Sequence, residues 1–324
     1  MNYRPIYDIS IGSFALNTRN NNRLVELSVS AKLDVPVNEC RMVLPRLKDM
    51  RFETGMPVSV KLGYDKQTSQ VFAGELDQIE HNAETVTLTA SGAFHRMVSN
   101  RVNLYFDGPS AGEIATELCQ QHKVTPGNVG TGMRFSFYTL GHDRSAYEHL
   151  KYLSEQCGFD CYADENDHLV FAQPAPQTTH PFGYGENILN LQLWEEAAPD
   201  TTWEVYGESP SSTGQGPQGA SWLTKKEVKG SAGLGAGVVR RVFAPTIRTI
   251  DNATLMAQAL QNDRKGRIKG ILHTLGAPEV KIGDSIQIKN MPETQQNGMF
   301  KVTGFRHHLH AGSGFISQFN IQKL

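Results

Sequence analysis

The chain has 324 residues, 39% of them apolar and 20% charged, with 31 Lys and Arg set against 33 Asp and Glu for a formal charge of −2. This length exceeds what one hydrophobic core usually organises, so two or three folding units are expected, and the composition excludes a disordered chain. The balanced charge argues against a dedicated nucleic-acid binder; no secretory leader or bilayer-length apolar run is visible; and Cys40, Cys119, Cys157 and Cys161 are too few for a disulfide scaffold, which predicts free thiols in a protein made and folded in the cytoplasm.

Residues 24–90 carry a period of two. Val25, Leu27 and Val29 alternate with Glu26, Ser28 and Ser30; Val58, Val60 and Leu62 alternate with Ser59, Lys61 and Gly63; Val86, Leu88 and Ala90 alternate with Thr87 and Thr89. Such alternation predicts an antiparallel sheet or small barrel with one face in a core. The period changes over residues 101–174. Ser110-Ala111-Gly112-Glu113 is a capping box, with Ile114, Leu118 and Cys119 following at helical spacing. A second helix is expected near Asp143, carrying Ala146, Tyr147, Leu150, Leu153 and Cys157 on one face and stopping at Gly158. Cys161 and Tyr162, then the polar turn Asp164-Glu165-Asn166-Asp167, then Leu169-Val170-Phe171 read as a hairpin with a solvated turn.

A Pro- and Thr-rich linker covers 173–180, and strand patterns resume at 188–194 and 202–206. Two Gly/Ser-rich stretches, 207–219 and 230–237, read as mobile or interface loops. A third helix fits 251–265 on Leu255, Met256, Ala259 and Leu260, and the last segment is β. A faint repeat spans the chain: Gly55 feeding Val58 and Val60 matches Gly283 feeding Ile286 and Ile288, and a second glycine follows each, Gly74 and Gly304. The fold class is therefore a β-rich α+β chain, with a first β-barrel over 1–100, a helix-helix-hairpin α/β insert over 101–178, and a second, similar antiparallel barrel over 179–324 that holds the 251–265 helix and the Gly/Ser-rich loops.

The candidate chemistry is weak. Gly108-Pro109-Ser110-Ala111-Gly112 matches the nucleophile-elbow pattern, but that elbow needs a parallel sheet rich in crossover helices, and Ser110 has a sufficient role as an N-cap. Cys157 and Cys161, with His149 and His168 nearby, lack zinc-knuckle spacing and read as buried thiols. On a strand His308 and His310 share a face while His307 points away, so a surface strand is expected rather than a metal site. Gly233-Leu234-Gly235-Ala236-Gly237 lacks dinucleotide spacing, and Arg240-Arg241 with Lys225-Lys226 is a modest basic patch. No catalytic, cofactor or metal residue is assigned, no cofactor is expected, and the chain reads as a non-enzyme.

The order of parts, with Asp107 through Ala115, Ser145 through Leu150, Cys157-Gly158-Phe159, Leu169-Val170-Phe171, Val280 through Ile286 and Phe300 through Phe305, resembles the phage late-control gene D family of baseplate hub proteins, itself similar to the N-terminal half of VgrG. The resemblance implies a homotrimer joining a six-fold tail tube to a three-fold spike, a symmetry match that two copies of one unit per subunit would supply. It implies as partners the tail tube protein, a spike that is a separate protein because this chain stops soon after its second barrel, and other baseplate or tape-measure components. No stable nucleic-acid binding and no membrane span are expected. The location implied is the baseplate of a phage, tailocin or related contractile injection particle, assembled in the bacterial cytoplasm. Two other readings make different predictions. A serine hydrolase would use Ser110, and a β-barrel ligand-binding module for carbohydrate or single-stranded nucleic acid would expose Trp194, Trp203 and Trp222 beside basic residues.

Overall fold

The computed structural model describes residues 4–33, 35–46, 51–65, 67–175, 178–196, 200–208, 227–233, 235, 237–263 and 268–324. Trp222, Lys225, Lys226 and most of the 207–219 stretch lie outside these residues.

The chain opens with β1 (Pro5–Ile11), β2 (Phe14–Asn17), β3 (Glu26–Lys32), β4 (Glu39–Pro45), β5 (Pro57–Tyr64), β6 (Gln67–His81) and β7 (Thr85–Ser91). A mixed segment follows: α1 (Phe94–Ser99), β8 (Leu104–Asp107), α2 (Ala111–Gln121), β9 (Thr125–Val129), β10 (Phe137–Leu140), α3 (Ala146–Cys157), β11 (Asp160–Ala163) and β12 (His168–Ala172). The remainder holds β13 (Thr179–Gly183), β14 (Ile188–Glu195), β15 (Thr201–Gly207), β16 (Lys229–Ala232), β17 (Val238–Ala244), α4 (Ile250–Asp263), β18 (Ile268–Leu275), β19 (Ser285–Lys289), β20 (Gly298–His310) and β21 (Gly314–Lys323). The fold is β-rich α+β, as the alternation predicts. Among the described residues, no helix is long and apolar enough to cross a membrane.

The alternating strands bury the residues the period selects: Leu27 and Val29, Val60 and Leu62, Leu88 and Ala90 are all inaccessible to solvent. The helices start where their caps are strongest. Ser110 and Ser145 each take a backbone N–H three residues on, while Glu113 and Glu148 reach back to the cap N–H groups. The second helix thus begins slightly later than Asp143. It ends at Gly158, whose φ of +67° is the left-handed conformation a C-cap requires.

Two six-strand paths have the same connectivity. In the first half the hydrogen-bonded order is β1-β5-β6-β7-β4-β3, and in the second it is β13-β19-β20-β21-β18-β14, so each strand takes its neighbours by the same rule of succession. One difference lies at the edge: β1 runs antiparallel to β5, whereas β13 runs parallel to β19. The paths are also not separate sheets, because β3 pairs with β20 and welds all these strands into one.

The repeat seen in sequence is real in its first glycine and shifted in its second. Gly55 (φ +86°) and Gly283 (φ +88°) occupy the same turn. The Gly55 N–H donates to Leu76 O at 2.7 Å and the Leu76 N–H to Met56 O at 2.8 Å; the Gly283 N–H donates to Val302 O at 2.9 Å and the Val302 N–H to Asp284 O at 2.8 Å. A bulge follows in each copy, at Asp77 and at Thr303. Leu76 is therefore the counterpart of Val302, and Gly304 corresponds to Gln78 rather than to Gly74. The two later glycines serve unrelated contacts. A Cβ on Gly74 would stand 2.5 Å from Ser91 O, and one on Gly304 would stand 2.7 Å from Lys32 Cγ and 2.9 Å from Ala31 O.

Buried side chains fall into two clusters. One is shared by the strands of both six-strand paths and includes Leu27, Val60, Phe72, Ile286, Phe300 and Phe319. The other unites the mixed segment with Trp203, Val205, Ala244, Ile247, Ala253 and Met256. The sequence reading gave the 251–265 helix and the 202–206 strand to the second barrel. In the structure α4 and β15 pack on the insert instead, because the apolar face of α4 is turned toward α3 and the β16-β15-β17 sheet. By position in the repeat they interrupt the second copy between β14 and β18, where the first copy has only the short link from β3 to β4.

Candidate assembly surface

The joint between the two halves is a full antiparallel ladder. Lys32 faces Gly304, Ala31 faces Phe305, Val29 faces His307, Leu27 faces Leu309 and Glu26 faces His310. Further main-chain bonds close its ends, from the Leu33 N–H to Thr303 O at 2.9 Å and from the Ala311 N–H to Val25 O at 3.0 Å. The three C-terminal histidines lie in this joint, so the expectation of a surface strand is corrected: β20 has β21 on one side and β3 on the other. His307 is 1% exposed, with ring centroids of Phe305, Phe315 and Phe319 at 4.6, 5.9 and 6.0 Å. Burial pushes its pKa down to about 3, with the nearby Lys281 charge adding to the effect, so it is neutral at pH 7. His308 and His310 do share the opposite face. Their rings stack at 6.4 Å, and Glu26 accepts a hydrogen bond from His308 Nε2 at 3.2 Å.

The hairpin of β11 and β12 docks on this double sheet from one side. Lys301 on β20 lies 2.6 Å from Asp160 on β11; the Tyr162 hydroxyl donates to Ile282 O at 3.1 Å; Asn38 Nδ2 donates to Ala163 O at 3.0 Å. The turn 164–167 is part of the same contact rather than the solvated turn expected. Asp164 accepts the N–H groups of Asn166 and His168, and Glu165 lies 3.6 Å from Lys281. Both Asp167 carboxylate oxygens accept the Ala93 N–H, at 2.9 and 2.7 Å. Burial raises the Asp167 pKa to about 6 against the opposing pull of that hydrogen bond.

Two strand edges remain unpaired among the described residues. β14 bonds only to β18, and beyond Leu76 the second part of β6 bonds only to β7. Leu189 is 53% and Trp194 40% exposed on β14, and Gln78, Glu80 and His81 are exposed on β6. Open edges with apolar neighbours are templates for strand addition.

Comparison with solved structures finds the same fold along the whole chain. The 43 kDa tail protein of prophage MuSo2 from Shewanella oneidensis superposes with a TM-score of 0.71 at 12% identity, covering 98% of both chains. The tail protein from Neisseria meningitidis MC58 gives 0.71 at 13% identity over 99% of this chain and 97% of that one. The E. coli c3393 protein, a type VI secretion component similar in structure to T4 tail proteins gp27 and gp5, gives 0.62 at 6% identity over 98% and 76%. No family model and no curated protein sequence matches the chain. This chain has the fold of phage tail proteins and of a type VI secretion component.

Ser110, the serine of the elbow pattern, is an N-cap. Its hydroxyl donates to Glu113 Oε2 at 2.8 Å and accepts the Glu113 N–H at 3.2 Å; the side chain is buried, and the strand before it, β8, pairs antiparallel with β10. The Ser110 N–H, which donates to Glu113 Oε2 at 2.6 Å, and then the Ser110 hydroxyl hold the Glu113 carboxyl below its usual range. The four cysteines are free, and burial pushes Cys157 up to about 11 and Cys119 and Cys161 up to about 12, the opposite of an activated thiolate. His149 contacts Gly141 O and His168 lies beside Asp164, so neither joins the two thiols. No group of three or more potential metal ligands exists among the described residues.

Trp203 is buried beneath Arg240, whose guanidinium lies 5.7 Å from its ring, while Trp194 is on β14. The described tryptophans therefore form no common stacking platform. Arg241 and Lys229 converge on Glu204 at 2.8 and 2.7 Å and hold its pKa at about 2, so this part of the basic patch is neutralised. The assembly joint itself was missed by sequence reading, since a pairing between β3 and β20 leaves no local signal.

Proposed function

We propose that this chain is the hub of a baseplate in a phage tail or related contractile injection machine, a non-enzymatic structural subunit of the late-control gene D type. Three copies form a ring that joins the six-fold tail tube to a three-fold spike, with other baseplate or tape-measure components as neighbours. The observation that carries this reading is the duplicated six-strand unit. A trimer presents six similar edges only if each subunit holds two copies of one unit, and this chain holds two with the same strand succession. The shared fold with tail proteins supports it, as does the placement of Ser110, the cysteines and the histidines in structural contacts. The near-neutral charge suits a lumen through which DNA or an effector slides without tight phosphate contacts.

The test is light scattering coupled to size-exclusion chromatography over rising concentration, with negative-stain imaging of the same fractions. The expected species has three times the 35.9 kDa of one chain and a ring-shaped average with six similar lobes. A stable monomer at every concentration, or a ring of another subunit number, overturns the reading.

A further inference from the structure

We propose that the free edge of β14 pairs with the second part of β6 in a neighbouring copy of this chain, in the register that the internal β3–β20 joint displays. The copy number of the resulting ring rests on the hub reading above; the pairing itself rests on the repeat alone.

Leu76 and Val302 are counterparts by their shared hydrogen bonds and bulges, so Gln78, Ile79, Glu80 and His81 of β6 occupy the positions of Gly304, Phe305, Arg306 and His307 of β20. On the other strand, Leu191 faces Leu272 as Leu27 faces Met42, and β18 faces β21 as β4 faces β7; hence Leu193, Trp194, Glu195 and Glu196 occupy the positions of Val29, Ser30, Ala31 and Lys32. Inside one chain, the β3 member of the first copy bonds to the β20 member of the second. The reciprocal contact, from β14 of the second copy to β6 of the first, is unmade. Six strands lie between β14 and β6 in the sheet order, and a second copy supplies the edge that each lacks.

The side chains at these edges carry the same imprint. His81 stands where His307 stands, and Leu193 where Val29 stands, so both joints set an imidazole opposite an aliphatic side chain. His307 is buried, whereas His81 is exposed in the single chain. The predicted register sets Gln78 opposite Glu196, Ile79 opposite Glu195, Glu80 opposite Trp194 and His81 opposite Leu193. An antiparallel ladder supplies main-chain bonds at every second pair, and the same-face neighbours fix its register.

Disulfide trapping tests the pairing on the full chain. Two in-register double variants, Glu80→Cys with Trp194→Cys and Gln78→Cys with Glu196→Cys, are oxidised beside the out-of-register control Glu80→Cys with Gln192→Cys and beside each single variant. A slip of two residues moves the sulfurs about 7 Å apart, beyond the reach of a disulfide, so the in-register pairs are expected to yield at least about ten-fold more covalent dimer and trimer on a non-reducing gel. If light scattering shows an oligomer but the in-register pairs do not cross-link above the control, the pairing is overturned and the hub reading stands. If they cross-link into species that do not stop at three chains, the pairing stands and the three-copy hub falls. A chain that stays monomeric and uncross-linked overturns both.

Discussion

Ser317 and His307 are hydrogen-bonded across β20 and β21, with Ser317 Oγ 2.8 Å from His307 Nδ1 in the buried centre of the joint. Ser317 Oγ also accepts the Ala277 N–H at 2.8 Å and keeps one hydrogen and one lone pair for the imidazole. No hydrogen-bond partner reaches His307 Nε2 among the described residues. Protonating His307 would bury a charge among three phenylalanine rings.

The consequence is an acid-sensitive joint. The folded-state pKa of about 3 lies below the ordinary imidazole value of 6.5, so between these values the unfolded chain holds a proton that the folded chain does not. Stability therefore falls as pH drops from about 6.5 toward 3, by at most about 1.4 kcal/mol per pH unit. Asp167 acts in the opposite sense. Its folded pKa of about 6 exceeds the ordinary aspartate value of 3.8, so it favours the folded state below 3.8 and loses that contribution as pH rises through 6. Urea unfolding of an Asp167→Asn protein from pH 7 to pH 5, above the ordinary carboxylate range, removes the opposing contribution. The expected result is a declining stability that His307→Asn flattens; an unchanged slope in His307→Asn refutes this account.

The paired turn glycines make a quantitative prediction. Both sit at positive φ, where any other L residue is strained, so Gly55→Ala and Gly283→Ala should each cost about 1 kcal/mol. A Cβ on Gly55 meets nothing within 4 Å, but one on Gly283 stands 3.3 Å from the Tyr162 hydroxyl. Gly283→Ala is expected to be the more destabilising, and adding Tyr162→Phe should narrow the gap between the two variants in denaturant midpoint.

What the sequence made legible was local. Ser110, Ser145 and Gly158 announce their helix ends because caps are built from neighbours in the chain. The helix α1 was not foreseen because Ala93, the residue before it, offers no side-chain cap; the anchoring carboxylate comes from Asp167, 74 residues later. Gly55 and Gly283 were paired correctly because each turn is self-contained. Gly74 and Gly304 were matched wrongly because two close backbone approaches, one to β7 and one to β3, happen to demand glycine at similar spacing. His307, His308 and His310 read as a polar surface run, and only the long-range pairing with β3 turns that strand inward.

Ser110→Ala distinguishes a cap from a nucleophile. Loss of an N-cap hydroxyl typically costs about 1 kcal/mol, and Ser145→Ala, which removes an identical box on α3, should cost a similar amount. Thermal denaturation is expected to show comparable drops for both variants. Hydrolysis of a p-nitrophenyl ester is expected to stay at the no-protein background for the parent chain and for Ser110→Ala alike; turnover that the substitution abolishes would restore the hydrolase reading.

The contact that seats the insert on the double sheet is a partly buried ion pair, and its energetics have a definite sign structure. Lys301 and Asp160 are each 17% exposed at the side chain and lie 2.6 Å apart. Removing one partner strands the other charge away from water, so Asp160→Leu or Lys301→Met alone should destabilise by about 2–4 kcal/mol. Removing both replaces the pair by apolar groups whose desolvation is favourable, and the double variant should recover most of that loss. Lys301 also lies on β20, opposite Ser285 of β19, so the single variants are expected to loosen the second half of the sheet together with the insert. Hydrogen exchange read on β11, β19 and β20 measures both effects. Additive losses in the double variant would show that the pair is incidental and that the Tyr162 and Asn38 hydrogen bonds hold the insert in place.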